Sequence, residues 1–390
     1  MRTAARLKRI PPYLFAELDR KQQEAAQRGI DLINLGVGDP DQPTPEAVID
    51  VLCTEARKPE NHRYPSYVGH TALRTAAAQW MQQRFGVEVD PDTEVIALIG
   101  SKEGIAHTCW AFVDSGDYTL VPDPAYPVYA NQTLLAGGTP YPMPLRPENG
   151  FLPDLEAIPQ AVLEQTTVMF LNYPNNPTAA VAELEFFERA VALARRYNFL
   201  LCHDAAYIDL TFDGYRASSI LEIPGAKEVA LEFHSLSKPF NMTGWRIGFA
   251  VGNAQAVGAL GKIKTNTDSG QFTAIQFAAV EALLRTPTAF REKMASLYRA
   301  RRDAAVAGLR SLGFEVEPPR GTFYLWVPVP QGWNSLDFAE HLLTTAGVVV
   351  SPGAAFGQQG EGFFRLALTT GEERIREAVR RIGRALEVGR

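Results

Sequence analysis

The sequence predicts an α/β protein whose main domain is a largely parallel β-sheet covered by helices. Between about residues 45 and 280, strand-like runs rich in β-branched and aromatic residues alternate with helical patterns, an order typical of parallel sheets. Candidate functional side chains follow the ends of these runs, where ligands bind in such sheets. After residue 285 the pattern changes, which indicates a second, smaller α/β domain.

The chain begins with a helical pattern and a short strand. Leu14–Arg28 is rich in charge and alanine, and Leu32–Leu35 predicts a strand that ends in a loop containing Gly36 and Gly38. The G-x-G-x-x-G fingerprint of dinucleotide-binding proteins is absent, because position 41 is Asp. The glycines therefore predict a loop whose backbone approaches a ligand closely, with an ordinary turn as the alternative.

Strand-like runs then recur through the main domain. They are Val95–Ile99, Tyr118–Val121, Val168–Asn172, Leu200–His203, Val229–Phe233 and Ile247–Val251. Between them lie helical patterns such as Glu183–Arg196, whose apolar residues recur at helical spacing.

The last third of the chain predicts a long helix, two strands and a closing helix that begins at Thr370. The first three elements are Pro287–Leu312, Thr322–Val327 and Phe363–Leu368. We expect a large domain over residues 45–285 and a small domain formed by residues 1–44 and 286–390.

Bulk composition excludes several classes of protein. The hydrophobic content of 46% and the charged content of 21% are ordinary for a globular protein. The net charge of −6 argues against a nucleic-acid partner. No apolar run approaches the roughly 18 residues of a membrane span, and no apolar signal-peptide segment is present. The three cysteines, Cys53, Cys109 and Cys202, lack metal spacing, which predicts no metal site and favours the reducing cytoplasm.

The most informative stretch is Phe233–Gly252, FHSLSKPFNMTGWRIGFAVG. Lys238 lies just past a buried-strand pattern, with Ser235, Ser237 and Arg246 close in sequence. A desolvated lysine has a lowered pKa and forms Schiff bases with carbonyls, while hydroxyls and an arginine suit a phosphate. An ordinary surface lysine is the alternative. Ser235-x-x-Lys238 also matches penicillin-recognising hydrolases, but their S-D-N and K-T-G tripeptides are absent. The stretch predicts a pyridoxal-phosphate lysine.

Loops after the other strands carry further candidates. Ser101 and Lys102 open a helix whose free N–H groups can bind phosphate, with a plain helix cap as the alternative. Tyr126 lies between two prolines, a rigid mount for stacking on a flat ring. The composition of Tyr173–Thr178 predicts a turn. Asp204 follows an apolar strand and needs a cationic partner if buried, which the pyridinium nitrogen of the cofactor would supply.

Taken in order, these motifs resemble the class I and II aminotransferases of fold type I. The matching elements are Asn176-Pro-Thr, Asp204-x-x-Tyr207, Ser235-x-x-Lys238, Arg246 and Arg365. More narrowly, LGVGDPD, HRYPSYVG, NYPNNPT, CHDAAY and EFHSLSKPFNMTGWRIGFAVGN resemble the bacterial LL-diaminopimelate aminotransferases. The resemblance covers essentially the whole chain. It implies a mainly parallel seven-stranded sheet, pyridoxal 5'-phosphate as cofactor, amino-acid and 2-oxo-acid substrates, and a homodimer with shared active sites.

The resemblance also implies a catalytic role for several residues. Lys238 is expected to bind the cofactor covalently and then to act as general base for the 1,3-proton shift. Asp204 is expected to keep the ring nitrogen protonated. Tyr207 and Asn176 match the pair that hydrogen-bonds the phenolate oxygen of the cofactor, and Tyr126 matches the residue that stacks on its ring.

Phosphate and substrate ligands are implied in the same way. The expected phosphate ligands are Ser101, Lys102 through its backbone, Ser235, Arg246 and, from the partner subunit, Tyr64. Arg365 is expected to bind the substrate α-carboxylate bidentately, with Asn176 and the backbone of Gly38 nearby. Tyr13 and Tyr67 are candidates for the distal part of the substrate site, with simple packing as the alternative.

The sequence departs from the family pattern at two places. Ala179 stands where the family usually has glycine after N-P-T, and a glycine there serves a turn with positive φ. Pro239 and Phe240 stand where a hydroxyl residue and tyrosine are expected after the lysine, which affects the detail of the pocket.

The implied reaction is amino transfer between LL-diaminopimelate and 2-oxoglutarate in lysine biosynthesis. The same residues also suit an aminotransferase for aspartate, alanine or aromatic amino acids, or a C–S lyase. A regulator that keeps this fold without turnover would need a DNA-binding domain, and about thirty residues before the fold are too few for one.

Overall fold

The computed structural model describes residues 1–11 and 14–388. The helices are α1 Leu14–Gln27, α2 Glu46–Glu55, α3 Thr71–Phe85, α4 Ser101–Phe112, α5 Val128–Ala136, α6 Gln160–Leu163, α7 Leu184–Tyr197, α8 Ala254–Thr267, α9 Thr273–Arg285, α10 Thr288–Ser311, α11 Ser335–His341 and α12 Glu372–Val388. The strands are β1 Ile33–Asn34, β2 Val95–Leu98, β3 Tyr118–Asp123, β4 Thr139–Pro144, β5 Thr166–Leu171, β6 Leu200–Asp204, β7 Ala230–Ser235, β8 Gly248–Gly252, β9 Tyr324–Pro328, β10 Val348–Val349, β11 Ser351–Pro352 and β12 Phe363–Ala367.

The largest sheet has seven strands in the order β2-β8-β7-β6-β5-β3-β4. Strand β8 runs antiparallel to β2 and β7, and the other neighbouring pairs are parallel. The predicted fold class, with a mainly parallel seven-stranded sheet, is therefore confirmed. Strand patterns in the sequence located six of the seven strands.

The strand that those patterns did not show is β4, with the sequence TPYPMP. Its three prolines, Pro140, Pro142 and Pro144, cannot donate backbone hydrogen bonds, so prolines normally argue against a strand. Strand β4 pairs only with β3, at the edge of the sheet. An edge strand needs donors on one side alone, which is why the prolines are tolerated here.

Side chains on the two faces of the sheet enter different apolar clusters. On β5, Met169 and Leu171 pack into one cluster with α3 and α7, while Val168 and Phe170 pack into another with α4 and α8. Burial on both faces explains why these strands are continuous apolar runs. Among the described helices, none is both long and apolar enough to cross a membrane.

Two smaller sheets lie outside the large one. Strands β11, β12 and β9 form an antiparallel sheet, and β1 pairs in parallel with β10. Their apolar residues share a cluster with residues of α10 and α12. Segments that are distant in sequence therefore meet, because β1 pairs with β10. The domain boundaries, 45–285 for one and 1–44 with 286–390 for the other, stay a prediction.

The turn at Ala179 offers a test of backbone strain. Ala179 has φ of 59°, a left-handed conformation that costs a residue with a Cβ about 1 kcal/mol. We expect Ala179→Gly to raise the free energy of unfolding by about 0.5–1 kcal/mol, measured by denaturant titration. Ala180→Gly is the matched control, because Ala180 is not among the described residues with positive φ. This second variant should lower the free energy by a similar amount, and stabilisation by both or by neither would contradict the explanation.

Candidate active site

A cleft of about 540 Å³ lies at the carboxyl edge of the large sheet. Most of the residues singled out in the sequence line it, namely Gly38, Ser101, Lys102, Tyr126, Asn176, Asp204, Tyr207, Ser235, Lys238, Arg246 and Arg365. Five strands that run in the same direction each end at or shortly before one of these residues. They are β2, β3, β5, β6 and β7. The carboxyl ends of such strands meet at one edge, so distant loops converge there.

Two of the described residues that the sequence predicted for the site do not line this cleft. Tyr64 is 87% exposed and Tyr67 is 44% exposed. Neither tyrosine is among the lining residues. Tyr13 lies outside the described residues.

Lys238 follows strand β7 and is half-buried in the cleft. Its Nζ donates a hydrogen bond of 2.7 Å to the carbonyl oxygen of Gly38 and lies 5.6 Å from the centre of the Phe323 ring. Burial lowers the pKa of Lys238 to about 8; the Arg365 and Arg246 charges act in the same direction, and Asp39 opposes them. A lysine with such a pKa has a substantial neutral fraction near pH 8, as a nucleophile or general base requires.

Asp204 ends strand β6 and is 6% exposed. The hydroxyl of Tyr129 donates to Oδ2 at 2.8 Å, whereas Oδ1 is buried and has no hydrogen-bond partner among the described residues. Burial raises the pKa of this carboxyl. Burying a carboxylate oxygen that receives no hydrogen bond costs free energy. The site therefore fits a ligand whose cationic N–H group donates a hydrogen bond to Oδ1. A protonated pyridine nitrogen is such a group.

Two tyrosines and a glycine narrow the cleft beside Lys238. The hydroxyl oxygens of Tyr207 and Tyr324 are 3.0 Å apart. A Cβ on Gly38 would overlap the Tyr324 hydroxyl. Glycine at this position therefore allows the close backbone approach that the sequence predicted for this loop.

The first turn of α4 and two side chains form a cradle for an anion. Helix α4 begins at Ser101, and the first N–H groups of a helix have no intrahelical partner. Arg246 has φ of 54° and donates from Nη1 to the carbonyl of Thr243 at 2.7 Å. Its guanidinium lies so close to Gly100 that a Cβ there would overlap it. With Ser235 also in the cleft, the arrangement fits a phosphate group.

Arg365 lies on β12 and is 5% exposed. Nη1 donates to Oδ1 of Asn176 at 2.6 Å, and Nη2 donates to the carbonyl of Gly36 at 2.7 Å. The Tyr324 and Phe356 rings lie 4.1 Å and 4.7 Å from the guanidinium carbon. Nε is buried without a partner in the described part of the chain. The guanidinium is thus held in place and keeps donor capacity for a carboxylate.

Tyr126 lines the wall of the cleft next to Lys102. Burial raises the pKa of Tyr126 to about 12, so its phenol stays neutral. The Lys102 ammonium lies 5.7 Å from the centre of its ring. A neutral aromatic ring on a wall of the cleft suits stacking against a planar ligand.

The lining residues that were not found in the sequence include Tyr129, Asn172, Tyr324 and Phe356. The amide nitrogen of Asn172 donates to the carbonyl of Asp204 at 2.6 Å, which ties two loops together. Asn172 ends a predicted strand, so the strand-end argument used for Asp204 could have found it. Tyr129 and Phe356 lie in local sequences that carry no such signal.

The two residues after the lysine that depart from the family pattern lie away from this cleft. Pro239 and Phe240 line a much smaller cavity beneath the Lys238 loop, and Phe240 is 3% exposed. Neither is among the residues that line the large cleft. Their side chains therefore act on the site only through packing.

Comparison with known proteins gives consistent matches over the whole chain. The family model for aminotransferase class I and II matches residues 30–382. The LL-diaminopimelate aminotransferase of Moorella thermoacetica is 54% identical over 386 residues, 99% of each chain. LL-diaminopimelate aminotransferase 2 of Nostoc sp. is 53% identical over 98% of each chain.

Solved structures show the same similarity in three dimensions. The substrate-bound BacF structure from Bacillus subtilis has a TM-score of 0.95 at 37% identity, over 98% of each chain. A single mutant of Thermus thermophilus aspartate aminotransferase has a TM-score of 0.93 at 32% identity, over 99% of this chain and 100% of that one.

Proposed function

This chain belongs to the family of class I and II aminotransferases, which use pyridoxal 5'-phosphate, and from that premise we propose that its amino donor is LL-diaminopimelate. In this reaction the amino group passes to 2-oxoglutarate, giving glutamate and a keto product that closes spontaneously to tetrahydrodipicolinate. The enzyme would thus serve lysine biosynthesis.

The observation that carries the substrate assignment is the pattern of identities. Relatives that are 50–54% identical over nearly their full lengths are named LL-diaminopimelate aminotransferase. Solved structures named for aspartate or aromatic amino acids are 30–32% identical to this chain. The substrate class of the more similar group is therefore the better assignment.

The cofactor, when bound, supplies an electron-accepting ring that stabilises negative charge at the substrate α-carbon. Oδ1 of Asp204, which is buried without a partner among the described residues, would accept a hydrogen bond from its ring nitrogen. The start of α4, Ser235 and Arg246 would hold its phosphate, and Tyr126 would lie against its ring. Tyr207 and Asn176 would hydrogen-bond its phenolate oxygen.

Lys238 and Arg365 would act directly on the substrate. Lys238, with a pKa lowered to about 8, would hold the cofactor covalently, and its freed amine would then take a proton from the substrate α-carbon. Arg365 would bind the α-carboxylate and so orient the bond to the α-hydrogen.

The distal end of LL-diaminopimelate distinguishes it from other amino donors, so it provides a test of substrate specificity. It carries an ammonium and a carboxylate, so its site needs acceptors as well as donors. A site built for a polar group rejects analogues that lack it by roughly 10⁴-fold in favourable cases. Half-reactions of the purified enzyme should therefore show rapid amino transfer from LL-diaminopimelate and slow transfer from lysine, which lacks the distal carboxylate.

The contrary outcomes of this assay point to definite alternatives. Rapid transfer from alanine, aspartate or an aromatic amino acid, with none from LL-diaminopimelate, would leave the family intact and overturn the substrate. Release of ammonia and pyruvate from cystathionine, without amino transfer, would indicate a C–S lyase.

The active sites would be shared between two subunits of a homodimer. Tyr64 is 87% exposed and does not reach the cleft of its own chain, which fits a role in the partner's cleft. The three free cysteines, one exposed and two buried, agree with a cytoplasmic location.

Hybrid dimers test this sharing. Lys238→Ala and Tyr64→Ala homodimers should each have little activity, because each lacks a group in both sites. A hybrid of the two has one site with both defects and one site with neither. Mixing the variants under conditions of subunit exchange should restore activity to about half the wild-type value per hybrid dimer. No recovery, once exchange is verified by mass spectrometry, would contradict shared sites.

A further inference from the structure

A cluster of buried ionisable side chains lies on the face of the sheet opposite the Asp204 side chain, and none of its members lines the cleft. It consists of His203 on β6 with Glu232 and His234 on β7, which are 0%, 0% and 3% exposed. His203 lies directly opposite Glu232 in the parallel register. Buried charges are expensive unless they are paired, so the cluster needs a reason for its presence.

The hydrogen bonds of His203 show that this histidine carries a positive charge. Nδ1 of His203 lies 2.8 Å from Oε2 of Glu232, and Nε2 lies 3.0 Å from the carbonyl oxygen of Tyr173. A carboxylate and a carbonyl can only accept, so both ring nitrogens of His203 must donate, and the ring is an imidazolium. For His234, the described residues place an acceptor, Oε1 of Glu232 at 2.8 Å, only at Nε2. A neutral His234 satisfies that bond.

Glu232 is held as a carboxylate by donors at both oxygens. In addition to the histidines, the hydroxyl of Ser219 donates to Oε1 at 2.7 Å and the backbone N–H of Ile220 donates to Oε2 at 2.9 Å. Burial by itself raises the pKa of Glu232, but His234 and His203 hold it well below its usual value. The anion and the His203 imidazolium therefore form a fixed pair.

Asp204 is the next residue after His203, and its side chain points to the other face of the strand. Its backbone carbonyl accepts a hydrogen bond from the side-chain amide of Asn172. This bond fixes the end of the strand that carries the His203 and Asp204 side chains. Burial raises the pKa of Asp204, and the Tyr129 hydroxyl and the charge of His203 oppose that rise. Without the imidazolium, two buried carboxylates, Glu232 and Asp204, would lie on opposite faces of adjacent strands with less positive charge to balance them.

We propose that His203 is a positioning residue whose imidazolium, fixed by Glu232, keeps the Asp204 carboxylate ionised opposite the ring nitrogen of the cofactor. The side chain of His203 touches neither the cofactor nor the substrate, because it lies beneath the sheet among Phe187 and Tyr173. The proposal rests on the cofactor of the family and not on the choice of substrate.

The test compares two ligands of the apoenzyme, without measuring turnover. One is pyridoxal 5'-phosphate, and the other is its 1-deaza analogue, in which a CH group replaces the ring nitrogen. Their dissociation constants are obtained from quenching of tryptophan fluorescence. The ratio of the two dissociation constants reports the interaction between the ring nitrogen and Asp204. A general loss of packing would instead weaken the binding of both ligands by the same factor.

His203→Asn keeps a donor toward Glu232 and removes the positive charge. It should lower the preference for pyridoxal 5'-phosphate over the analogue by about tenfold or more, the factor that one unit of pKa represents. His234→Gln is the matched control: its amide keeps a donor near the Nε2 position, and it should leave the ratio at the wild-type value. If His203→Asn does not fold, His203→Gln, which places an amide donor toward the Tyr173 carbonyl, replaces it.

The possible outcomes are distinct. An unchanged ratio in a folded His203 variant overturns the proposal, as does an equal fall in the His234→Gln control. Failure of the substrate assignment would leave these binding constants untouched, so the two proposals are judged separately.

Discussion

Replacing Lys238 with alanine is expected to abolish turnover, with kcat lower by more than about 10⁴-fold, because the change removes both the covalent attachment and the proton-transfer base. The amine of Lys238 is half-buried, has a pKa lowered to about 8 and lies 2.7 Å from the Gly38 carbonyl. No other lysine except Lys102 lines the described cleft. Single-turnover amino transfer, followed by absorbance of the bound cofactor, measures the loss directly.

The control for this variant is Lys262→Ala. Lys262 is exposed on helix α8, away from the cleft, and should retain wild-type turnover. The Lys238→Ala protein should also release its cofactor on gel filtration at a rate that the control does not show. Normal amino transfer by Lys238→Ala would refute the assignment of the catalytic lysine.

Asp204→Asn is expected to lower kcat by about 10² to 10⁴-fold. The estimate follows from the 3–5 kcal/mol that removal of one partner from a buried ion pair costs. Asparagine is close in shape to aspartate but carries no charge, so it cannot hold a protonated ring nitrogen at the position facing Oδ1. Steady-state kinetics with saturating substrates give kcat, and the preference for pyridoxal 5'-phosphate over its 1-deaza analogue should disappear.

Asp209→Asn separates this effect from the general cost of altering a buried carboxylate. The side chain of Asp209 is also buried and accepts a hydrogen bond of 2.9 Å from Nε of Arg84, and Asp209 is not among the cleft residues. This variant should keep a kcat near the wild-type value even where its stability falls. If both variants lost kcat equally, the loss would reflect folding and not the ring nitrogen.

Much of the fold could be predicted because many strands and helices have a composition and a hydrophobic pattern that are visible in their local sequence. The strands β2, β5 and β6 are apolar runs buried on both faces, and they were located to within a few residues. Strand β4 was missed because its alternating prolines contradict the usual strand composition. Its existence depends on the edge position, which is a property of the assembled sheet and not of the segment.

Some residues of the candidate site could likewise be predicted from the local sequence, and others could not. Lys238, Asp204 and Arg365 could be found because each is a charged residue next to or within an apolar strand, and charge in such a place needs a partner. Tyr129 and Phe356 could not be found in this way, since an aromatic residue among apolar neighbours is ordinarily a core residue. Only the fold shows that the Tyr129 hydroxyl reaches Oδ2 of Asp204.

The sequence by itself determined the fold class, the family resemblance and the identity of the charged groups in the cleft, because periodicity and local motifs depend on neighbours along the chain. Tertiary structure decided which of these groups meet. It placed Asn176 against Arg365 across 189 positions of sequence, and His203 opposite Glu232 beneath Asp204. Hydrogen bonds and burial depend on distances in space, and residues far apart in sequence acquire those distances only when the sheet is assembled.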